Sequence, residues 1–239
     1  MKSLRSVLVG VTAASLLGLP GAAAAATPSP GPSLASAASS AALSRYDTSI
    51  RYLSFDHSRA YGSPTKIRGQ VVATVRGQRG AVRHVRVKLS RRVFGTGHWK
   101  HLKTTYTSRT DRPRFRFRVK SPANARYRVV FGGNAKLQPT GKRTTVVVHR
   151  KFNARLEDGT GRFHGRVVPN YAHRRIFLDR RECASCGWDR VRSARTGDRG
   201  RWSFKVGTPT PGKTWWRVST PASTKFIRSY SSVFTTERR

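Results

Sequence analysis

The sequence predicts an all-β protein built as two tandem β-sandwiches, and three observations lead there. Apolar and basic residues alternate with period two through Phe115, Phe117 and Val119, and again through Tyr127, Val129 and Phe131, the pattern of half-buried strands. Short runs of this kind recur between Gly, Pro, Asn and Asp turns, with no helical period long enough to compete. The second half then repeats the first: Ile176 answers Val87, Trp188 answers Trp99 and Trp216 answers Tyr127, all at an offset of 89.

The first 26 residues set Lys2 and Arg5 before an apolar run from Val7 to Leu19, followed by Pro20 and by Ala24-Ala25-Ala26. That is the layout of a secretory signal peptide with a small-residue cleavage site. The run is well short of the ~20 residues a spanning helix needs, so the expected product is secreted, extracellular or cell-wall associated, without stable membrane insertion. Thr27 to about Ala42 is Pro, Ser, Ala and Gly without charge, and residues 27–46 are expected to be a flexible, disordered linker.

Strands follow in order. Ser49–Phe55 is the first, and Tyr61-Gly62-Ser63-Pro64 breaks it; Lys66 toward Arg76 is the second, with Gly77-Gln78-Arg79-Gly80 as the turn after it. Val85, Val87 and Leu89 mark the third and Trp99–Tyr106 the fourth. Phe115–Val119 and Tyr127–Phe131 are the fifth and sixth, either a hairpin or two strands of facing sheets, and Thr144–Val148 closes the unit. Gly165-Arg166-Val167 answers Gly69-Gln70-Val71, and Trp202-Ser203-Phe204 answers Phe115-Arg116-Phe117. Residues 47–150 are therefore expected to form one domain and residues 151–239 a second, each with a small core of its own.

These elements resemble tandem bacterial immunoglobulin-like or fibronectin-III-like domains of secreted actinobacterial proteins. The resemblance lies in Gly-x-Val on an early strand, Trp-x-x-hydrophobic, the Phe-x-Phe strand, and a late Tyr-x-Val strand followed by Phe-Gly-Gly-Asn. It covers nearly the whole mature chain and implies two Ig-like sandwiches. Such sandwiches serve as spacers, adhesin modules and binders of carbohydrate or protein. Tyr127, and Trp216 in its place, resemble the aromatic at the start of the sixth strand of Ig-like folds, where a core role is expected.

Charge is the dominant chemical signal. Lysine and arginine number 48 against 10 acids, arginine outnumbers lysine 36 to 12, and the net charge is +38, or +36 without the leader. Such a balance favours anionic partners, and the planar fork of arginine suits phosphate and carboxylate. Two ladders present the charge: Lys66 and Arg68 with Arg114, Arg116, Arg118 and Lys120 on one outer face, Arg86 and Lys88 with Arg126 and Arg128 on the other. If the second and fifth strands pair, like charges lie opposite one another at a cost in stability that a polyanion relieves. The expected partner is an anionic polymer or cell-wall component: wall phosphate polymers, acidic glycans or extracellular DNA. Non-specific nucleic acid belongs to the same class, since it needs only charge density. Aromatics follow the core period, so base stacking is not expected. The competing reading is a structural or adhesive module with a protein or carbohydrate partner and incidental charge.

Catalytic and metal chemistry are weakly supported. Cys183-Ala184-Ser185-Cys186 is a lone CxxC; in an exported chain it favours a local disulfide over a free thiol pair or a metal site. His98 and His101 lie three apart, on opposite sides of a strand and beside Lys100 and Lys103, so surface histidines are expected rather than zinc ligands. The ten acids are expected mostly at turns, Asp56, Asp111, Asp158, Asp179, Asp189 and Asp198 among them, or paired with arginines. Glu157-Asp158 and Asp179 with Glu182 are the only carboxylate sets that invite a catalytic or cation-binding reading. No Gly-x-Ser-x-Gly elbow is present. The expectation is a protein without cofactor that is not an enzyme.

Overall fold

The computed structural model describes residues 45–207 and 211–238. The expected signal peptide and all but the last two residues of the expected linker lie outside the described residues. Tyr46, the last of those two, bridges Leu137 through backbone bonds to Lys136 and Gln138.

The first sandwich contains β1 (Thr48–Phe55), β2 (Ser58–Ala60), β3 (Pro64–Val75), β4 (Gln78–Ala81), β5 (Arg86–Val93), β6 (Lys100–Tyr106), β7 (Phe115–Lys120), β8 (Ala125–Phe131) and β9 (Thr140–His149). One sheet runs β1-β3-β4 with β7 also on β3, and the facing sheet runs β2-β9-β8-β5-β6. Consecutive strands β7 and β8 thus join opposite sheets and form no hairpin. Their connection is tied to both sides: Ser121 N–H donates to the Ser63 carbonyl, while Asn124 Oδ1 accepts from Val148 N–H at 2.7 Å. With its backbone groups satisfied this way, the segment can cross between sheets.

Two strands of the first sandwich are absent from those the sequence predicts. Arg76 and Gly77 both take positive φ, forming a tight two-residue turn, so Gln78–Ala81 pairs back on Val72–Val75 instead of lying in the turn. The three-residue β2 pairs in parallel with β9.

The core follows the predicted alternation. Ile67, Val71, Phe115 and Phe117 from one sheet meet Val87, Leu89, Tyr127, Val129 and Val146 from the other. Gly69 lies opposite Phe115, and a Cβ there would fall 2.5 Å from the Phe115 ring; only glycine lets the ring lie over the strand. Tyr127 is buried, and its hydroxyl bonds Ser121 Oγ at 3.1 Å. This is the core role expected of it.

The second sandwich contains β10 (Lys151–Glu157), β11 (Arg162–Val168), β12 (Arg175–Arg181), β13 (Asp189–Arg195), β14 (Arg201–Lys205), β15 (Gly212–Thr220), β16 (Ser229–Tyr230) and β17 (Phe234–Arg238). A sheet β10-β11-β14 faces β13-β12-β15, with β16 and β17 both on β15. Phe163, Val167, Trp202, Phe204, Ile176, Leu178, Trp216 and Val218 form its core. The repeat holds at the level of register. Ser90 pairs with Arg128 as Asp179 pairs with Arg217, and the bulge between Leu89 and Ser90 returns between Leu178 and Asp179. Gly165 lies opposite Trp202 as Gly69 lies opposite Phe115. Both sandwiches are Ig-like.

Arg150 alone separates β9 from β10. Its guanidinium lies between the rings of Tyr171 at 4.4 Å and Phe226 at 4.1 Å, and Ala123, Val148 and Phe226 form a small apolar cluster beside it. Asn124 adds bonds to the Lys225 and Thr224 carbonyls. The two sandwiches meet at a packed seam.

Candidate anion-binding faces

On the β3/β7 face the core dictates the charge display. Ile67, Phe115 and Phe117 are fully buried, so their neighbours must point outward. Lys66 then lies directly opposite Arg118, and Arg68 opposite Arg116. Lys66, Arg116, Arg118 and Lys120 are exposed and Arg68 is half-buried. Arg114 precedes β7 in an exposed loop, its backbone N–H donating to Ser108 Oγ. Among the described residues none of these six basic side chains forms an ion pair. A neighbouring acid, Asp56, is occupied: it accepts the Lys66 backbone N–H at 2.7 Å and pairs with Arg59. Burial pushes its carboxyl up, but the Arg59 hydrogen bond, the Lys66 amide and both positive charges hold it below the ordinary value.

On the opposite face Arg86, Lys88, Arg126 and Arg128 all point outward but do not form one ladder. Arg86 pairs with Tyr106, and Lys88 lies between Thr104 and Val130. Arg126 lies between Arg92 and Thr145, Arg128 between Ser90 and Arg143. Arg128 instead joins a cluster the sequence reading missed: the guanidiniums of Arg92, Arg128 and Arg143 lie 5.3, 4.8 and 5.8 Å from the ring of Trp99, within cation–π range. Trp99 is half-buried outside the core, which corrects the expectation that the aromatics follow the core period. It precedes β6, so strand alternation gives no information about its side. Its constant spacing to Trp188 was the available signal.

Trp188 repeats the arrangement. Arg181 lies 5.0 Å and Arg217 4.0 Å from its ring, and Arg217 also lies 4.2 Å from that of Tyr230. Here a carboxylate completes the cluster. Asp179 Oδ2 accepts from Arg217 Nε at 3.3 Å and from Ser219 Oγ at 3.1 Å, while Arg190 Nε lies 3.9 Å from Oδ1. Asp179 sits within β12 and is 6% exposed, so it belongs to a strand and not to the expected turn. Glu182 pairs separately, with Arg180 at 2.9 Å. Cys183 and Cys186 are disulfide-bonded in the loop from β12 to β13, and Arg181 Nη1 donates to the Ala184 carbonyl within it.

The β10/β11/β14 side has a cavity of about 740 Å³ whose lining includes Arg155, Arg162, His164, Arg166 and Arg201. Its charges are partly engaged: Arg162 Nε donates to Ser203 Oγ, Arg166 Nε donates to the Arg199 carbonyl, and His164 lies 3.4 Å from Glu157. Ser203 opposite His164 replaces the Arg116–Arg68 rung of the first sandwich, but Arg162 lies opposite Lys205 and Arg166 opposite Arg201, so like charges face one another on this sheet too.

No protein-family model matches the chain, nor does any curated protein. Among solved structures it is similar to the ligand-binding domain of human OSCAR, at 15% identity over 81% of this chain and 100% of that one, with a TM-score of 0.28. It is also similar to the D0-D1 domain of intimin, at 14% identity over 78% and 99%, TM-score 0.27. A third likeness is to Escherichia coli alpha-2-macroglobulin, at 8% identity over 79% of this chain and 16% of that one, TM-score 0.36. Values this low carry no weight on the fold, which rests on strand order and register.

Proposed function

We propose that this is a non-catalytic extracellular binding module that holds anionic polymers on its arginine-rich faces, with residues 47–150 and 151–239 as its two domains and the leader of residues 1–26 directing export. The observation that carries this reading is the pair of like-charge oppositions Lys66↔Arg118 and Arg68↔Arg116. Each such opposition is destabilising, and among the described residues no acid pairs with these side chains. A bound polyanion, whether wall phosphate polymer, acidic glycan or DNA, removes the repulsion and releases its own counterions. With four contacts on duplex DNA, affinity falls about 100-fold between roughly 50 and 200 mM salt. The test is retention on heparin and on DNA as a function of salt, for the native chain and for a variant with Lys66, Arg68, Arg116 and Arg118 changed to Ser. The variant loses retention and its salt slope flattens. Retention indifferent to salt sinks the reading, and an unaffected variant transfers the binding to a protein or neutral-sugar partner for which the charge is incidental.

A further inference from the structure

The two sandwiches carry the same outer-face cluster at one offset and differ in how its charge is balanced. Arg92, Trp99 and Arg128 in the first correspond to Arg181, Trp188 and Arg217 in the second, with matching strand register. In the second, Asp179 gathers Arg217, Arg190 and Ser219 around one buried carboxylate. In the first, the matching position is Ser90, and Arg143 stands on the far side of Arg128. None of the four strands β5, β6, β8 and β9 contains an Asp or Glu. The difference shows in the hydrogen bonds. Arg217 Nε donates to Asp179, whereas Arg128 Nε is buried and has no partner among the described residues. Guanidiniums grouped without a carboxylate among them are stabilised by a bound anion through charge-assisted hydrogen bonds.

We propose that the first sandwich binds a ligand carboxylate among Arg92, Arg128 and Arg143, in the role that Asp179 plays for the second sandwich. The carboxylate belongs to an acidic sugar. The half-buried Trp99 indole beside the guanidiniums offers an apolar plate for a sugar ring, and Thr104 and Thr145 put hydroxyls along the same face. This deepens the anionic-polymer reading, on which it rests, by naming a uronate-type glycan and a site on the sheet opposite the Lys66/Arg116 ladder.

Calorimetric titration of the full chain with trigalacturonate at physiological salt tests it. One site per chain is expected. Ser90→Asp installs the missing carboxylate and lowers affinity roughly 10- to 100-fold, the range spanned by charge-assisted hydrogen bonds. Ser90→Ala, which adds no charge, leaves affinity within about 2-fold by the same logic. Arg143→Ser weakens binding, while Arg116→Ser with Arg118→Ser does not. Undiminished affinity in Ser90→Asp overturns the proposal, as does a folded native chain that fails to bind trigalacturonate. If heparin retention persists in those cases, the broader reading stands without this site. Equal or tighter binding of triglutamate assigns the site to acidic peptides and overturns the sugar. Equal loss in the Arg116/Arg118 variant shows diffuse charge and overturns the site.

Discussion

Replacing Asp179 with Asn removes one charge and keeps the shape, and it isolates what that carboxylate contributes. Removing one partner of a buried ion pair costs about 3–5 kcal/mol. Here Arg190 is 46% exposed and Arg217 21%, so water takes over part of their solvation, and the Asn carbonyl still accepts from Ser219. The expected loss is about 2 kcal/mol. At a denaturant slope of about 1–2 kcal/mol/M, the urea midpoint of the second sandwich falls by roughly 1 M. Tryptophan fluorescence at neutral pH follows it, since Trp188 lies against Arg217. A double-mutant cycle with Arg217→Ala should give a coupling of about 1–2 kcal/mol. A midpoint within error of the native one, or purely additive losses, would refute the idea that Asp179 is the electrostatic centre of this cluster.

Gly69→Ala and Gly165→Ala each cost about 3 kcal/mol, because the new Cβ meets the Arg51 carbonyl at 2.6 Å and the Asn153 carbonyl at 2.1 Å; thermal melts of both variants check this. Tyr127→Phe loses the Ser121 bond and about 1 kcal/mol, and a loss above about 3 would contradict a simple core role. Replacing Cys183 and Cys186 with Ser costs about 2 kcal/mol by loop-closure entropy and leaves the first sandwich's melting unchanged. His149 is held below its ordinary pKa, first by burial and then by Lys151. A base with a depressed folded pKa makes the folded state bind fewer protons, so stability falls as pH drops from about 6.5 through the folded value. Urea midpoints at pH 7.5 and 5 should converge in His149→Gln relative to the native chain.

The core was legible because burial and strand alternation are one fact seen twice. Phe115, Phe117, Tyr127 and Val129 could only turn inward together, which set Arg116, Arg118 and Lys66 outward and aligned them once β3 paired with β7. A non-glycine residue at positive φ has no reliable sequence mark, so the turn at Arg76-Gly77, and with it β4, is not legible from the sequence. Trp99 was missed for a different reason. A residue just outside a strand has no alternation to assign its side, and only the packing of Arg92, Arg128 and Arg143 from three strands shows where the indole lies. Asp179 escaped for the converse reason: a carboxylate in a strand looks like a turn residue until three donors converge on it.

The sequence by itself determined the all-β class, the repeated plan with its offset of 89, the residues of both cores and the excess of positive charge, since each depends on local period and composition. Tertiary structure alone decided which charges face one another. Opposition of Lys66 with Arg118, the grouping of three arginines about Trp99 and the replacement of Asp179 by Ser90 join strands distant in the chain. Electrostatic energy depends on those distances across the sheet and not on position along the sequence.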